Sequence, residues 1–232
     1  MGQQEEILQK LTGKAVDIPF GKLLTEEETK LVADNCNSVT YRKKEVIFRQ
    51  GTRTSHIMFV REGYVKIFKE GRNNKFIILK VEKAGNFLGL TSIFGGQLHE
   101  YSASAIDDCE IVYVDFNTFH DILKKNGDYS LKIIQLLSIN SLYIFDRLMS
   151  QSHKQLPGRI ADVLLYFSEQ IFNSNVYTFP FTRRELAELA GTTKESFIRT
   201  LTEFKNDKII KLDGSKVEIV SMKIVKTLSE LG

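Results

Sequence analysis

Thr182-Arg183-Arg184-Glu185-Leu186-Ala187-Glu188-Leu189-Ala190-Gly191-Thr192-Thr193-Lys194-Glu195-Ser196-Phe197-Ile198-Arg199-Thr200-Leu201-Thr202-Glu203-Phe204-Lys205-Asn206 reads as two helices joined by a three-residue turn. Thr182 followed by Glu185 is a capping box, which satisfies two otherwise unpaired amides at a helix start. Ala187 and Ala190 are small enough to let a second helix cross closely. Gly191 supplies the left-handed residue that ends the first helix without strain. Thr192 or Thr193 caps the second, in which Phe197, Leu201 and Phe204 recur at i, i+4 and i+7 and define a buried face. At about 100° per residue, Glu195, Arg199, Thr202 and Asn206 fall opposite that stripe, with Lys194 on its flank.

The exposed face suits base reading. A guanidinium donates bidentately to guanine O6 and N7, and a carboxylate accepts from the cytosine amino group, so Arg199 beside Glu195 fits G·C pairs in a major groove. The competing expectation for the same two residues is an i, i+4 salt bridge on a solvated helix. Arg183 and Arg184 stand at the first helix N-terminus, where free amides and the helix dipole also favour a phosphate. Thr193 and Ser196 complete the candidate contact set. Beyond the second helix, residues 209–212 and 217–220 are short β-branched runs around Asp213-Gly214-Ser215-Lys216, a hairpin signal that supplies a wing.

Bulk charge does not carry this argument. The 232 residues have a net charge of +3, and from His153 onward there are 12 basic against 10 acidic residues. Placement has to do what quantity does not. A content of 42% hydrophobic and 26% charged residues is that of an ordinary globular chain. No apolar run approaches the roughly 18 residues of a membrane span, and the Met1-Gly2-Gln3-Gln4-Glu5-Glu6 start is not that of a signal peptide, so a cytoplasmic protein is expected. Cys36 and Cys109 read as free thiols.

Working back from the motif, residues 1–38 hold short helical patterns, the clearest starting at Thr25 with Glu28 as its box partner. From 39 to 114 the texture changes to short β-rich runs at 45–48, 57–60, 64–68, 76–81 and 111–114. Turns at Gly51, Glu62-Gly63, Gly71-Arg72-Asn73-Asn74 and Gly95-Gly96 break them, which points to a closed double-sheet roll. A helix capped by Asp115 follows, ending before Asn126-Gly127. Residues 128–155 are the longest helical pattern, with Ile134, Leu137, Ser141, Ile144 and Leu148 forming an a/d seam. Beside it run Leu131, Leu142, Phe145 and Met149. A helix apolar on two faces needs two partners, of which one is expected to be the same helix of a second subunit. Leu156-Pro157-Gly158-Arg159 is expected to break the helix and act as a hinge, with a new amphipathic helix from Arg159 to Phe172.

The expected fold class is therefore α+β. It comprises an N-terminal double-stranded β-helix (jelly-roll) sensor domain at 1–127, a dimerisation helix at 128–156 and a winged helix-turn-helix domain at 157–232.

This order of parts resembles the Crp/Fnr family of bacterial transcription regulators across essentially the whole chain. Phe48-Arg49-Gln50-Gly51 and Val60-Arg61-Glu62-Gly63-Tyr64-Val65-Lys66 look like the family's early strands, Ala84-Gly85-Asn86-Phe87-Leu88-Gly89 like its effector-pocket strand, and 182–199 like its reading motif. The resemblance implies Lys194, Glu195 and Arg199 as base readers with Arg183 on phosphate. It also implies a two-fold symmetric double-stranded DNA site, RNA polymerase as a partner, and allosteric control through the roll. The candidate effector-pocket residues are Phe87, Gly89, Leu90, His99, Tyr101, Ile144 and Phe145.

The pocket departs from the family's cyclic-AMP pattern. Members that bind that nucleotide have Gly-Glu in this strand, the Glu on the ribose, and an Arg about ten residues later on the phosphate. Here the pair is Gly89-Leu90, residues 97–101 contain no Arg, and Ile144 and Phe145 stand where hydroxyls would meet the adenine. Loss of those charge-assisted hydrogen bonds argues for an effector other than cyclic AMP. Cys36 alone does not make the N-terminal cysteine cluster of the iron–sulfur members. A haem sensor of a diatomic gas or a redox signal stays open, with His99, His56 and His120 as axial candidates. Two other classes compete. A regulatory module for a protein partner that does not bind DNA leaves 182–206 unexplained. A cupin-like enzyme would place metal ligands around the roll, and the four histidines contain no His-x-His pair. No catalytic residue and no metal site is expected.

Overall fold

The computed structural model describes residues 18–71 and 76–232. The helical patterns before Ile18 and the 72–74 part of the expected turn lie outside the described residues. The described residues divide into two compact units, one of residues 18–70 with 80–140 and one of residues 71 and 76–79 with 141–232.

In the first unit, helix α1 (Glu26–Asp34) opens with the Thr25/Glu28 capping box, in which Glu28 N donates to Thr25 Oγ1 at 3.2 Å and Thr25 N to Glu28 Oε2 at 2.9 Å. Strands β1 (Cys36–Tyr41), β2 (Val46–Phe48), β3 (His56–Glu62), β4 (Tyr64–Glu70), β5 (Phe76–Lys83), β6 (Phe87–Leu88), β7 (Ser102–Ala105) and β8 (Cys109–Asp115) follow, with the short helix α2 (Leu90–Phe94) between β6 and β7. They form two four-stranded sheets, ordered β1-β8-β3-β6 and β2-β7-β4-β5, which is the expected double-sheet roll.

The β3–β4 turn needs Gly63. Its φ is +86°, and a Cβ there would lie 2.6 Å from the Asp108 oxygen and the Cys109 Cβ. Alternation then sorts β3: Ile57 and Phe59 enter a cluster with Val112, Val114, Phe87 and Leu90, while Met58 and Val60 point to the opposite face. That cluster is closed by Phe119 and Ile122 of α3 (Phe116–Lys125) and by Tyr129 and Ile133 of α4 (Gly127–His153). Asp115 caps α3, accepting from Thr118 N at 3.0 Å.

Helix α4 runs through the division between the units. Along it Leu131, Ile134, Leu142, Ile144, Phe145, Leu148 and Met149 are exposed, whereas Leu137 packs partly against the first unit's core.

The second unit corrects two expectations. The helix break falls at Lys154-Gln155, because α4 ends at His153 and α5 (Leu156–Leu165) begins with Pro157 in its first turn. Proline is tolerated there, since the amide it lacks has no intrahelical partner. Gly158 is no hinge linker either: it is a buried helical residue whose Cβ would lie 2.8 Å from Gly232 Cα and 2.9 Å from the Leu228 oxygen. The junction is tied by Asp162, which accepts from Ser150 Oγ (2.5 Å), Lys154 Nζ (2.8 Å) and Ser229 Oγ (2.5 Å). The second correction concerns 159–172. The α-helix gives way to a π-helix (Tyr166–Ile171), closed by Phe172 N donating to Phe167 O at 2.9 Å. The wider turn sets Phe167 among Phe172, Tyr177, Phe179 and Phe181, a cluster that a uniform helical period does not specify.

Strand β9 (Val176–Thr178) leads to α6 (Arg183–Leu189) and α7 (Lys194–Asn206), then to the hairpin of β10 (Ile210–Asp213) and β11 (Lys216–Ile219) and finally to α8 (Met222–Leu231). The order β10-β11-β9 makes the wing a three-stranded sheet, with Leu212 opposite Val217 and Asp213 opposite Lys216.

Candidate nucleic-acid interface

Local chemistry positions α7. Thr182 Oγ1 accepts from Glu185 N at 3.3 Å, and Glu185 Oε2 accepts in return from Thr182 N at 2.9 Å, so α6 starts where the capping box puts it. Gly191 carries φ +63° in the turn. Thr193 then caps α7: its Oγ1 accepts from Ser196 N at 3.2 Å and donates to Ser196 Oγ at 3.1 Å. Phe197, Leu201 and Phe204 are sealed beneath, joined by Thr200. Burying the three large apolar side chains contributes about 1.5–3 kcal/mol each, which is what holds this face down.

The opposite face stays open. Lys194, Glu195, Arg199, Thr202 and Asn206 are all exposed. The competing Glu195–Arg199 salt bridge does not form: Arg199 Nε lies 4.0 Å from Glu203 Oε1, at the outer limit of a pair, with its side chain 70% exposed. Arg199 is held only weakly, so its donors remain available. Ile198, also exposed, stands beside Arg199 on this face. Reading by charge alone overlooks it, although an exposed apolar side chain on such a helix fits a thymine methyl group. The signal was a single Ile bordering the polar positions.

The two arginines at the start of α6 differ. Arg184 is exposed and pairs with Glu188 at 3.2 Å. Arg183 is half-buried: its guanidinium lies 5.6 Å over the Phe179 ring, and Nη2 donates to the Gly214 carbonyl at 2.5 Å. Burial lowers its pKa. Arg183 thus fastens the wing turn to the start of the helix-turn-helix.

Of the candidate pocket residues, Gly89, His99 and Tyr101 lie close together around Phe48. Phe87 and Leu90 are buried members of the hydrophobic core. Gly89, at φ +74°, caps α2, and a Cβ there would meet Met58 Cε at 3.1 Å and His99 Cε1 at 3.3 Å. His99 is buried and stacked on Phe48, with ring centroids 3.8 Å apart and planes 13° from parallel. Its Nδ1 has no partner, and burial lowers its pKa. Tyr101 lies 5.8 Å from Phe48, with its hydroxyl 3.4 Å from Thr91 Oγ1, and burial raises its pKa. Ile144 and Phe145 are exposed residues of the second unit. Of the other histidines, His56 Nδ1 lies 3.0 Å from Ser55 Oγ, and His120 stacks on Phe116. Among the described residues no group of three His, Cys, Asp or Glu side chains could hold a metal ion, and no helix is long and apolar enough to cross a membrane.

Comparison with known proteins gives two family matches, a cyclic nucleotide-binding domain over residues 38–126 and a Crp-like helix-turn-helix domain over 158–227. The cAMP-activated global transcriptional regulator CRP of Salmonella typhimurium is 20% identical over 204 residues, covering 86% of this chain and 97% of its own. Among solved structures, FixK2 of Bradyrhizobium japonicum superposes with a TM-score of 0.76 at 20% identity, covering 83% of this chain and 96% of its own. The c-di-GMP responsive global regulator CLP of Xanthomonas campestris gives a TM-score of 0.72 at 19% identity, over 85% of this chain and 100% of its own.

Proposed function

Because the chain belongs to the Crp/Fnr family of transcription regulators, we propose that it acts in the cytoplasm as a homodimer reading a two-fold symmetric DNA site through α7. The observation that carries this reading is the pair Glu195 and Arg199, exposed on one face over a sealed apolar stripe and not joined to each other. Lys194 and Ser196 flank them, and Arg184, exposed although its Nε is paired with Glu188, is the phosphate contact. The seam of Ile134, Ile144 and Leu148, exposed in a single chain, is the surface for the second subunit, with Leu137 and Ser141 completing it. Two reading heads then match one turn of DNA, about 34 Å. RNA polymerase is the further partner.

Relatives named for cyclic AMP and for c-di-GMP share this architecture, so the architecture leaves the effector open. The roll of this chain lacks the Glu and Arg of the cyclic-AMP pattern, and we assign it an effector other than cyclic AMP. A haem ligand would fall to His99, whose imidazole is enclosed and stacked.

Selection from a random duplex library tests the reading residues. The wild-type chain is expected to enrich a symmetric site containing G·C pairs. Arg199→Ala costs about 1–3 kcal/mol on that site and relaxes preference at one G·C pair. An unchanged preference in the variant would refute the assignment of Arg199.

A further inference from the structure

One side chain is shared between the helix-turn-helix and the end of a roll strand. Arg147 of α4 donates through Nη1 to the carbonyl oxygens of Ile78 at 2.9 Å and Leu79 at 2.5 Å, and through Nη2 to that of Leu189 at 2.8 Å. One turn earlier on the same helix, the Tyr143 hydroxyl lies 3.5 Å from the same Leu79 oxygen. Ile78 and Leu79 fall in the compact unit that holds the helix-turn-helix, and they belong to β5, which continues from Lys80 into the first unit. Leu189 is the last residue of α6, directly before the turn that sets α7.

The chemistry of this contact is selective. The last carbonyls of a helix have no partner within it, so whatever satisfies the Leu189 oxygen also fixes where α6 ends. A guanidinium carries five donors in a rigid planar fork, and bonds from a charged donor are the stronger kind. It serves carbonyls of two separate elements at once only while both stay in place. A lysine ammonium, a point charge on a flexible stem, lacks that geometry.

We infer that Arg147 is a positioning residue for DNA reading, which fastens the end of α6 to β5 and so couples the disposition of α7 to the state of that strand. The inference rests on the proposed reading of α7 as the DNA-binding helix. Energetic coupling is reciprocal: if β5 biases the reading helix, DNA held by the reading helix must bias β5.

Hydrogen exchange on the full-length chain tests this, with and without a saturating duplex selected by the wild-type protein. In the wild type the duplex is expected to slow exchange in α7 and also in residues 76–83, the latter by about fivefold or more. In Arg147→Lys, α7 is still protected while 76–83 exchange as in the free protein. A purely structural role would speed exchange equally with and without DNA and would not remove the response. Protection of 76–83 to the same degree in both proteins overturns the inference. So does protection of α7 alone in the wild type, a result that needs no folded variant. Absence of protection in α7 of the wild type refutes the DNA-reading assignment instead.

Discussion

On α7 the charged groups Glu195 and Arg199 stand in solvent above a sealed stripe, whereas in the roll the candidate pocket residues Phe87, Leu90 and His99 are buried. Leu90 is committed to the core, His99 to Phe48, and the Tyr101 hydroxyl to Thr91. A reading surface works by leaving donors and acceptors unspent, because their partners arrive from outside. In the roll, by contrast, Leu90 and the His99 ring are engaged in packing, and His99 Nδ1 is left buried without a partner. Substitutions in the two regions should therefore have different signatures. In the head they change which DNA is bound; in the roll they change whether the unit stays folded.

The sharpest way to break this contrast is Leu90→Glu, which restores the Gly-Glu pair of the cyclic-AMP pattern. Leu90 is 4% exposed, among Phe87, Phe119 and Ile93. A carboxylate there is buried without a partner, at a cost of about 3–5 kcal/mol. Denaturant unfolding is expected to show that loss, with no cyclic-AMP binding gained by calorimetry. A stable variant that binds the nucleotide would mean that position 90 faces an effector pocket.

A smaller effect divides the head itself. Thr193 belongs to the candidate contact set, yet its hydroxyl both accepts from Ser196 N and donates to Ser196 Oγ. Thr193→Ala should cost about 1 kcal/mol of stability through the lost cap, and Thr193→Ser should restore it. Sequence preference in the duplex selection is expected to stay as in the wild type. A shifted base preference in Thr193→Ala would return that hydroxyl to the reading surface.

What could be read ahead of the structure follows the range of the interactions involved. The boxes at Thr25 and Thr182, the Asp115 cap, the left-handed Gly191 and the stripe of Phe197, Leu201 and Phe204 are each decided within a few residues, and each is where the pattern put it. Pro157-Gly158 looked like a hinge because both residues end helices locally. Only the close approach of α8 shows why a glycine is needed inside α5. The π-helix from Tyr166 accompanies a five-ring cluster of Phe167, Phe172, Tyr177, Phe179 and Phe181, whose irregular spacing no helical period reveals. Leu90 illustrates the hardest case: Gly89, with its left-handed backbone, sets the direction in which the next side chain leaves, and that places Leu90 in the core. Arg147 carries no local signal at all, since its three acceptors are backbone carbonyls far away in sequence.

The smallest expected effect is a dependence on pH confined to the roll. His99 lies under Phe48 with Met58 and Gly89 beside it, its Nδ1 has no acceptor, and burial holds its pKa below that of a free imidazole. Arg49 and Arg53 line the same cleft of about 570 Å³, and neither favours a second positive charge. In the unfolded chain the imidazole titrates near about 6.5. Below that value the unfolded state takes up a proton that the folded state refuses, so stability falls as the pH drops through this window and is flat above it. His99→Phe keeps the stacked ring and removes the titrating group. The stability difference between wild type and His99→Phe, measured by urea unfolding at about pH 7.5 and about pH 5.5, should therefore shift in favour of the variant at the lower pH. An identical difference at both would mean that His99 is charged or solvated in the folded roll, and its side chain would then join Glu195 and Arg199 among the groups left free for a partner.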